Sequence, residues 1–239
     1  MVQQLRWVMV GLICAVWLSP AQAMVTSCLL EPSKDVELGT PVEGVLTAVN
    51  VDRSDVVAQG DVLARLNRAV ELAELEVATA RRDFTRRHWE RTESLGAQRM
   101  ISDQEVDEIR TDYELAEGEL RRVRAALALR SVRSPFDGVI VERHFDRGDV
   151  VRGEPIFRLL SLDPLYVEVV MTVRNFGLIA TGDQFRIRIP DLDQEMVAEV
   201  IVVDRVVDPR SSTFRVRLEL PNADLSVPSG LQCEWLGPA

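Results

Sequence analysis

The chain is 239 residues long, 46% apolar and 28% charged, with 28 basic residues against 38 acidic ones and a formal net charge of −10. That sign repels nucleic acid, and no basic stripe works against it, which argues against a polyanion-binding role. The apolar fraction is ordinary for a folded soluble protein, and the length suffices for more than one small domain.

The first 23 residues read as a secretory signal. Arg6 lies in a short charged region, an apolar run follows from Trp7 to Leu18, and Ser19-Pro20 leads to Ala21-Gln22-Ala23. A run of about a dozen apolar residues is too short for a bilayer, which needs roughly twenty. Cleavage after Ala23 and export are therefore expected. Cys14 leaves with the signal, so Cys28 and Cys233 remain as an even pair, and in an oxidising compartment such a pair suggests one bridge. The alternative at Cys28 is lipid. Val25-Thr26-Ser27-Cys28 resembles a lipobox, although the polar stretch Ser19 to Gln22 separates it from the apolar run that such a motif normally follows. The two fates exclude each other.

Further on, Gly44 to Val57 (GVLTAVNVDRSDVV) has a twin at Gly138 to Val151 (GVIVERHFDRGDVV). Matching Gly44 to Gly138 pairs Val45 with Val139, Asp52 with Asp146, Arg53 with Arg147, Asp55 with Asp149 and Val56-Val57 with Val150-Val151. Two copies are too few for a solenoid. The alternation puts Val45, Thr47, Val49 and Val51 on one face of the first twin, and Val139 and Val141 begin the second. Each twin runs through a charged turn into a second apolar segment, Val62 to Leu66 and Ile156 to Leu160. Such a unit is too small to stand alone, so the two are expected to close on each other as a two-sheet sandwich.

Between the twins the period changes. Val70, Ala73, Val77, Ala80 and Phe84 recur at steps of three and four, a narrow helical stripe. The pattern resumes with Val106, Ile109, Tyr113, Ala116, Leu120, Val123 and Leu127. Gly96 reads as a helix stop, and Ser102 with Glu105 as a capping box for the second helix. Two helices of about 27 residues, each roughly 40 Å long, joined by a short connection make an antiparallel hairpin. Their narrow stripes let each cover only the other, so the pair is expected to project into solvent.

After Leu162 the sequence becomes strand-rich. Asp163 to Thr172, Asp183 to Pro190, Met196 to Asp204 and Ser212 to Pro221 are β-branched segments separated by Gly182, Pro190, Asp208-Pro209 and Asn222. Regular short strands with such turns suggest a small closed barrel.

With these segments in place, the chain resembles the periplasmic adaptor (membrane fusion protein) family of tripartite efflux pumps. The resemblance rests on the split twin motif around a coiled-coil hairpin, most specifically Ser134 to Ile140 and Arg147 to Val151, and on Val207 to Asn222 in the last region. The first twin departs from the family pattern at Ser54, where the second has Gly148. The resemblance implies a mixed α and β, elongated fold. Residues 24–66 would hold an N-terminal strand and the first lipoyl-like half, 67–130 the hairpin, 131–162 the second half and 163–239 the β-barrel. The strand near Cys28 would lie beside the one carrying Cys233. In this family the hairpin tip carries Arg-x(3)-Leu-x(6)-Ser and docks the outer-membrane channel; here Arg91, Leu95 and Ser102 occupy those places. The implied function is to link an inner-membrane transporter to an outer-membrane channel from the periplasm, as a homo-oligomer.

The chain ends at Ala239, soon after the barrel region, so a full membrane-proximal domain as in longer members is expected to be missing. A cleavable signal, in place of the uncleaved span of type I secretion adaptors, favours a transporter of the resistance-nodulation-division type. The rival reading is an extracytoplasmic coiled-coil scaffold or regulator outside any pump.

Catalysis finds little support. A lipoyl or biotinyl carrier needs a lysine at the hairpin joining its halves, and the only lysine, Lys34, precedes the first half. His88 and His144 stand alone, with no cysteine or second histidine at metal-ligand spacing. Glu71, Glu74, Asp107 and Glu108 lie on helices, where a solvated face is the ordinary reading. No phosphate loop and no G-x-S-x-G motif is present. A non-enzyme without cofactor or metal is expected.

Overall fold

The computed structural model describes residues 25–98 and 100–239, so the expected signal segment lies outside the described residues. In chain order the elements are β1 (Val25–Leu38), β2 (Gly44–Val49), β3 (Val56–Val57), β4 (Val62–Leu66), α1 (Ala69–Ala97) and α2 (Asp103–Ala128). There follow β5 (Ser131–Arg133), β6 (Gly138–Arg143), β7 (Val150–Val151), β8 (Phe157–Thr172), β9 (Gln184–Ile189), β10 (Gln194–Val203), β11 (Thr213–Leu220) and β12 (Glu234–Pro238).

The twin motifs interlock, and that is why the chain carries both. Gly44 pairs with Val151 and Val45 with Val150, while Gly138 pairs with Val57 and Val139 with Val56. Every pair in the first ladder has its twin in the second. The turns repeat the relation. The Leu46 N–H donates to the Asp149 carbonyl at 2.9 Å and the Ile140 N–H to the Asp55 carbonyl at 3.0 Å. Within each turn an aspartate carboxylate accepts a backbone N–H three residues back, Asp52 to Asp55 at 2.7 Å and Asp146 to Asp149 at 2.8 Å. Neither half has a complete sheet: β2 and β4 lie with β5 and β7, while β3 lies with β6 and β8. Each half completes the other.

The buried face differs from the expected one. Leu46 is 1% exposed and Val45 42%, so the residues between the expected ones point inward. A register irregularity between Leu46 and Ala48 then shifts the phase, and Val49 and Val51 do pack on the core. Ile140 takes the place of Leu46 in the second half and is fully buried. Around these two lie Leu63, Leu66, Val132, Phe136, Ile156, Phe157 and Leu159. Burial of each large side chain there contributes roughly 1.5–3 kcal/mol.

The barrel follows from strict alternation. In β9, β11 and the Leu165 to Met171 part of β8 every second residue is buried, including Val167, Val169 and Met171, Phe185, Ile187 and Ile189, and Phe214, Val216 and Leu218. The strand order β12-β9-β10-β11-β8 continues from β8 to β1. The ring closes where Leu30 N–H donates to Leu231 O at 2.9 Å and Cys233 N–H donates to Cys28 O at 3.0 Å. Across this seam the Cys28 and Cys233 sulfurs are bonded, with Cα atoms 5.0 Å apart. A bonded Cys28 has no thiol left to carry lipid.

The expected junction at residue 162 falls inside β8, whose 16 residues serve both bodies. Phe157 and Leu159 sit in the sandwich core, Leu165 to Met171 in the barrel core. β1 runs beside β8 from Val25↔Met171 to Leu38↔Phe157, so it too belongs to both. At the junction Asn222 is buried and fully bonded: its Nδ2 donates to Leu162 O and Val227 O at 2.9 Å, and its Oδ1 accepts from Val227 N–H at 3.1 Å.

Candidate functional site: the arm and its tip

Among the described residues the helices α1 and α2 pack chiefly on each other and leave the sandwich as an arm. The arm has its own small cluster, Ala78, Leu120 and Val123 with Leu75 against them. At its root Arg130 holds three points. Its Nε and Nη2 each lie 2.7 Å from Glu71 Oε1, and Nη1 donates to the Glu43 carbonyl at 2.8 Å. The Thr40 hydroxyl donates to the Leu129 carbonyl at 2.9 Å. Gly44 makes the space: a Cβ there would lie 3.0 Å from Arg130 Nη1 and 2.9 Å from Leu66 Cδ2. Glu71, expected on a solvated face, is instead buried and paired.

Those contacts set the rotation of α1, and they overturn its expected apolar seam. The side turned to α2 carries Glu71, Ala78 and Thr92, buried, with Leu75, Arg82 and Trp89 half-buried. Val70, Val77 and Phe84 are exposed, Val77 by 69%. Arg130 draws Glu71 inward, the small Ala78 receives Leu120 and Val123, and Trp89 stacks on Tyr113 with ring centroids 5.1 Å apart. The seam of α2 lies where its periodicity puts it, with Ala116, Leu120 and Val123 buried.

At the far end the two helices close tightly. Gly96 is no stop signal, because α1 continues to Ala97. A Cβ at Gly96 would come 2.8 Å from Val106 Cγ2, so glycine serves close helix approach there. The connection is tied by Gln98 and Met100, whose N–H groups donate to the Leu95 carbonyl at 3.2 and 3.0 Å. Ser102 caps α2: its hydroxyl accepts the Glu105 N–H at 3.3 Å. Arg91 is exposed, Leu95 is 41% exposed, and the two stand four residues apart on one side of α1. Ser102 lies across the turn from them. Met100, 67% exposed beside Leu95, adds an apolar group that the motif spacing passed over. Its neighbour Ile101 supplied the only sequence signal, an apolar pair inside a polar turn. The tip thus offers a cation and two apolar side chains on a narrow, capped end.

Two charged clamps stiffen the body beneath the arm. Arg143 bridges the twin turns, reaching Asp52 at 3.1 Å and also Asp146. The N–H of Arg53 and the Arg143 guanidinium hold the Asp52 carboxyl below the usual carboxylate range. Arg158 on β8 grips Asp35 on β1 with two hydrogen bonds of 3.0 and 2.7 Å and Glu142 on β6 with one of 2.9 Å. The hydrogen bond from Arg158 lowers the Asp35 carboxyl as well. His88 and His144 are both exposed, and His144 Nε2 lies 3.5 Å from Glu142. Among the described residues no group of three or more His, Cys, Asp or Glu is placed to hold a metal ion. No helix among them is long and apolar enough to cross a membrane.

A family model described as the CzcB-like barrel-sandwich hybrid domain matches residues 34–159, the sandwich with its inserted arm. The chain belongs to that branch of the periplasmic adaptor, or membrane fusion protein, family. Relatives of this CzcB-like type include the cobalt-zinc-cadmium resistance protein CzcB of Cupriavidus metallidurans, 25% identical over 204 residues, covering 79% of this chain and 39% of the relative. The nickel and cobalt resistance protein CnrB of the same organism is 27% identical over 233 residues, covering 82% and 58%. The chain therefore spans about two fifths of the first relative's length and under three fifths of the second's. Among solved structures, a MacA-MexA chimeric protein carrying the Pseudomonas aeruginosa MexA α-hairpin superposes with a TM-score of 0.72 at 20% identity, covering 87% of this chain and 78% of that one. The membrane fusion protein Spr0693 of Streptococcus pneumoniae R6 gives 0.67 at 14% identity, covering 90% and 98%. At such identities the likeness concerns the fold.

Proposed function

We propose that the chain is the adaptor subunit of an efflux assembly, holding an inner-membrane transporter, of the resistance-nodulation-division type, to an outer-membrane channel from the periplasm. It acts by binding alone, without catalysis. The observation that carries the reading is a rigidly rooted arm whose narrow tip leaves Arg91, Leu95 and Met100 exposed. An exposed leucine supplies an apolar anchor, and an arginine supplies donors for carbonyls or carboxylates of a partner helix. The barrel, at the opposite end of β8 from the sandwich, takes the transporter side. The names of the relatives extend the proposal to cargo: divalent transition-metal cations, moved by the transporter without a binding site on the adaptor.

Pull-down from membranes tests the docking. The intact chain should retain a channel protein, and Leu95→Asp should lose it while helicity by circular dichroism stays the same. Retention undiminished by Leu95→Asp and by removal of the arm would refute the tip as the dock. The cargo is tested separately: loss of the gene should raise sensitivity to cobalt, zinc or cadmium salts, and unchanged tolerance to all three would remove the metal assignment.

A further inference from the structure

Among the described residues the two most exposed large apolar side chains are on the barrel: Val206, 80% exposed, and Leu178, 72% exposed. Both stand at the barrel end remote from the sandwich. β8 stops there at Thr172, and its ladder partner Thr213 opens β11, so the loops 173–183 and 204–212 lie side by side. Val173 and Phe176 of the first loop are exposed as well. Four apolar side chains thus crowd one small end that the chain itself leaves uncovered.

The loops hold these groups in place. Val173 N–H donates to Ser212 O at 2.9 Å, Phe176 N–H to Val173 O at 3.0 Å and Leu178 N–H to Asn175 O at 3.1 Å. Gly177, with φ of 87°, turns the chain between Phe176 and Leu178. The Phe176 ring meets Phe214 edge-on with centroids 5.4 Å apart, and Ile179 is buried behind it. On the other side Val206 shares a cleft with Phe214. Apolar groups fixed in this way lose little further freedom when a surface takes them up.

Charge separates this end from the rest. The two loops carry three arginines and three aspartates, so the whole net charge of −10 lies elsewhere. Their carboxylates serve the loops' own geometry: Asp183 accepts the Ala180 N–H at 2.8 Å, Asp208 accepts the Arg210 N–H at 2.8 Å, and Asp204 lies 3.5 Å from Arg215. Arg205 and Arg210 are exposed. An acidic body is repelled by an anionic surface, and this end alone is free of that repulsion. Connectivity agrees. β1 also begins here, Val25 pairing with Met171, so the expected leader, residues 1–23, joins the chain at this end and export holds it at a bilayer until the leader is cut.

We propose that this end of the barrel inserts directly into a phospholipid surface. Phe176, Leu178 and Val206 enter the boundary between headgroups and acyl chains, while Arg205 and Arg210 reach the phosphates. The contact belongs to the chain itself. It needs neither a transporter nor lipid on Cys28, whose sulfur is bonded to Cys233. An apolar area this small holds a protein to a bilayer reversibly. The inference takes from the adaptor reading only export to the periplasm.

The test uses the exported chain freed of its leader, with vesicles of phosphatidylethanolamine and phosphatidylglycerol in equal parts and no other protein. The chain should float with the vesicles in a density gradient and stay with them as salt is raised, because salt weakens charge attraction and leaves apolar insertion in place. Leu178→Asp with Val206→Asp should lower the partition at least tenfold at an unchanged melting temperature. Val77→Asp, at a comparably exposed position on the arm, should not lower it. Leu178→Trp should gain a blue-shifted emission over the parent chain when vesicles are added, and brominated acyl chains should quench it. Absence of flotation, flotation indifferent to the double variant, release by salt or an unshifted emission would each overturn the proposal. So would a photoreactive group at position 178 that couples, in whole cells, to protein and to no lipid, since the end would then be a protein dock. The tip is judged apart from all of these, by channel capture.

Discussion

Glycines in equivalent or neighbouring places of one motif do different physical work. At Gly138 an added Cβ would lie 2.3 Å from the Leu160 carbonyl oxygen, a backbone atom that cannot swing aside. Gly138→Ala is expected to cost about 2–3 kcal/mol in urea unfolding, as overpacking does. Gly148 has open space around its Cβ position but φ of 103°, and its twin Ser54 holds φ of 74°. Gly148→Ala should therefore cost less, about 1 kcal/mol from backbone conformation alone. A second residue-level expectation concerns acid. The folded-state pKa of Asp35 is depressed by Arg158, so the clamp between β1 and β8 contributes in full above the carboxyl's ordinary value of 3.8. That contribution is lost as pH falls through the lower folded value. Amide exchange in β1 should quicken on that acid limb, and Asp35→Asn should remove the dependence; identical profiles for both proteins would show that the clamp does not hold the strand.

For the elements, the twins and α2 were legible and α1 was misleading, for one reason. In the turns after β2 and β6 the motif is marked by paired Asp residues that the turn itself uses, and in α2 apolar side chains occupy the seam without interruption. In α1 the seam holds Glu71, Arg82 and Thr92, made acceptable by Arg130 and by partial exposure, while the apolar residues lie elsewhere. Periodicity reports where apolar groups are, not which of them the chain itself covers. The tip motif was legible as spacing; the exposure of Met100 was not, since it depends on the turn tied to the Leu95 carbonyl. The boundary expected at residue 162 cut β8 in two because the two apolar segments on either side of it belong to different cores, although one strand runs through both. If Arg130 sets the pitch of the arm, Arg130→Met should leave both β-bodies folded and speed amide exchange in the first turn of α1 by tenfold or more. Exchange unchanged there would place the anchor elsewhere.

For the molecule, three separate apolar clusters mark three cores; the sandwich and the barrel share β1 and β8, and the arm alone stands on elements of its own. The ends of the arm meet where Leu66 N–H donates to Arg130 O at 2.9 Å. Replacing residues 68–129 by a short turn should therefore leave a cooperative melt and the barrel intact, and loss of folding would show that the arm supports the sandwich. Reduction bears on the barrel seam instead. The Cys28–Cys233 bond joins positions 205 residues apart, and in the chain-entropy model its removal costs about 5 kcal/mol. Cys28→Ser with Cys233→Ser should lower the denaturant midpoint accordingly. The longest strand carries a mechanical meaning as well. Because β8 and β1 lie antiparallel along nearly their whole length, a pull along the strands would load their hydrogen bonds in shear, many at once, rather than peel them one by one. Tension applied at one end would reach the other through an unbroken spar.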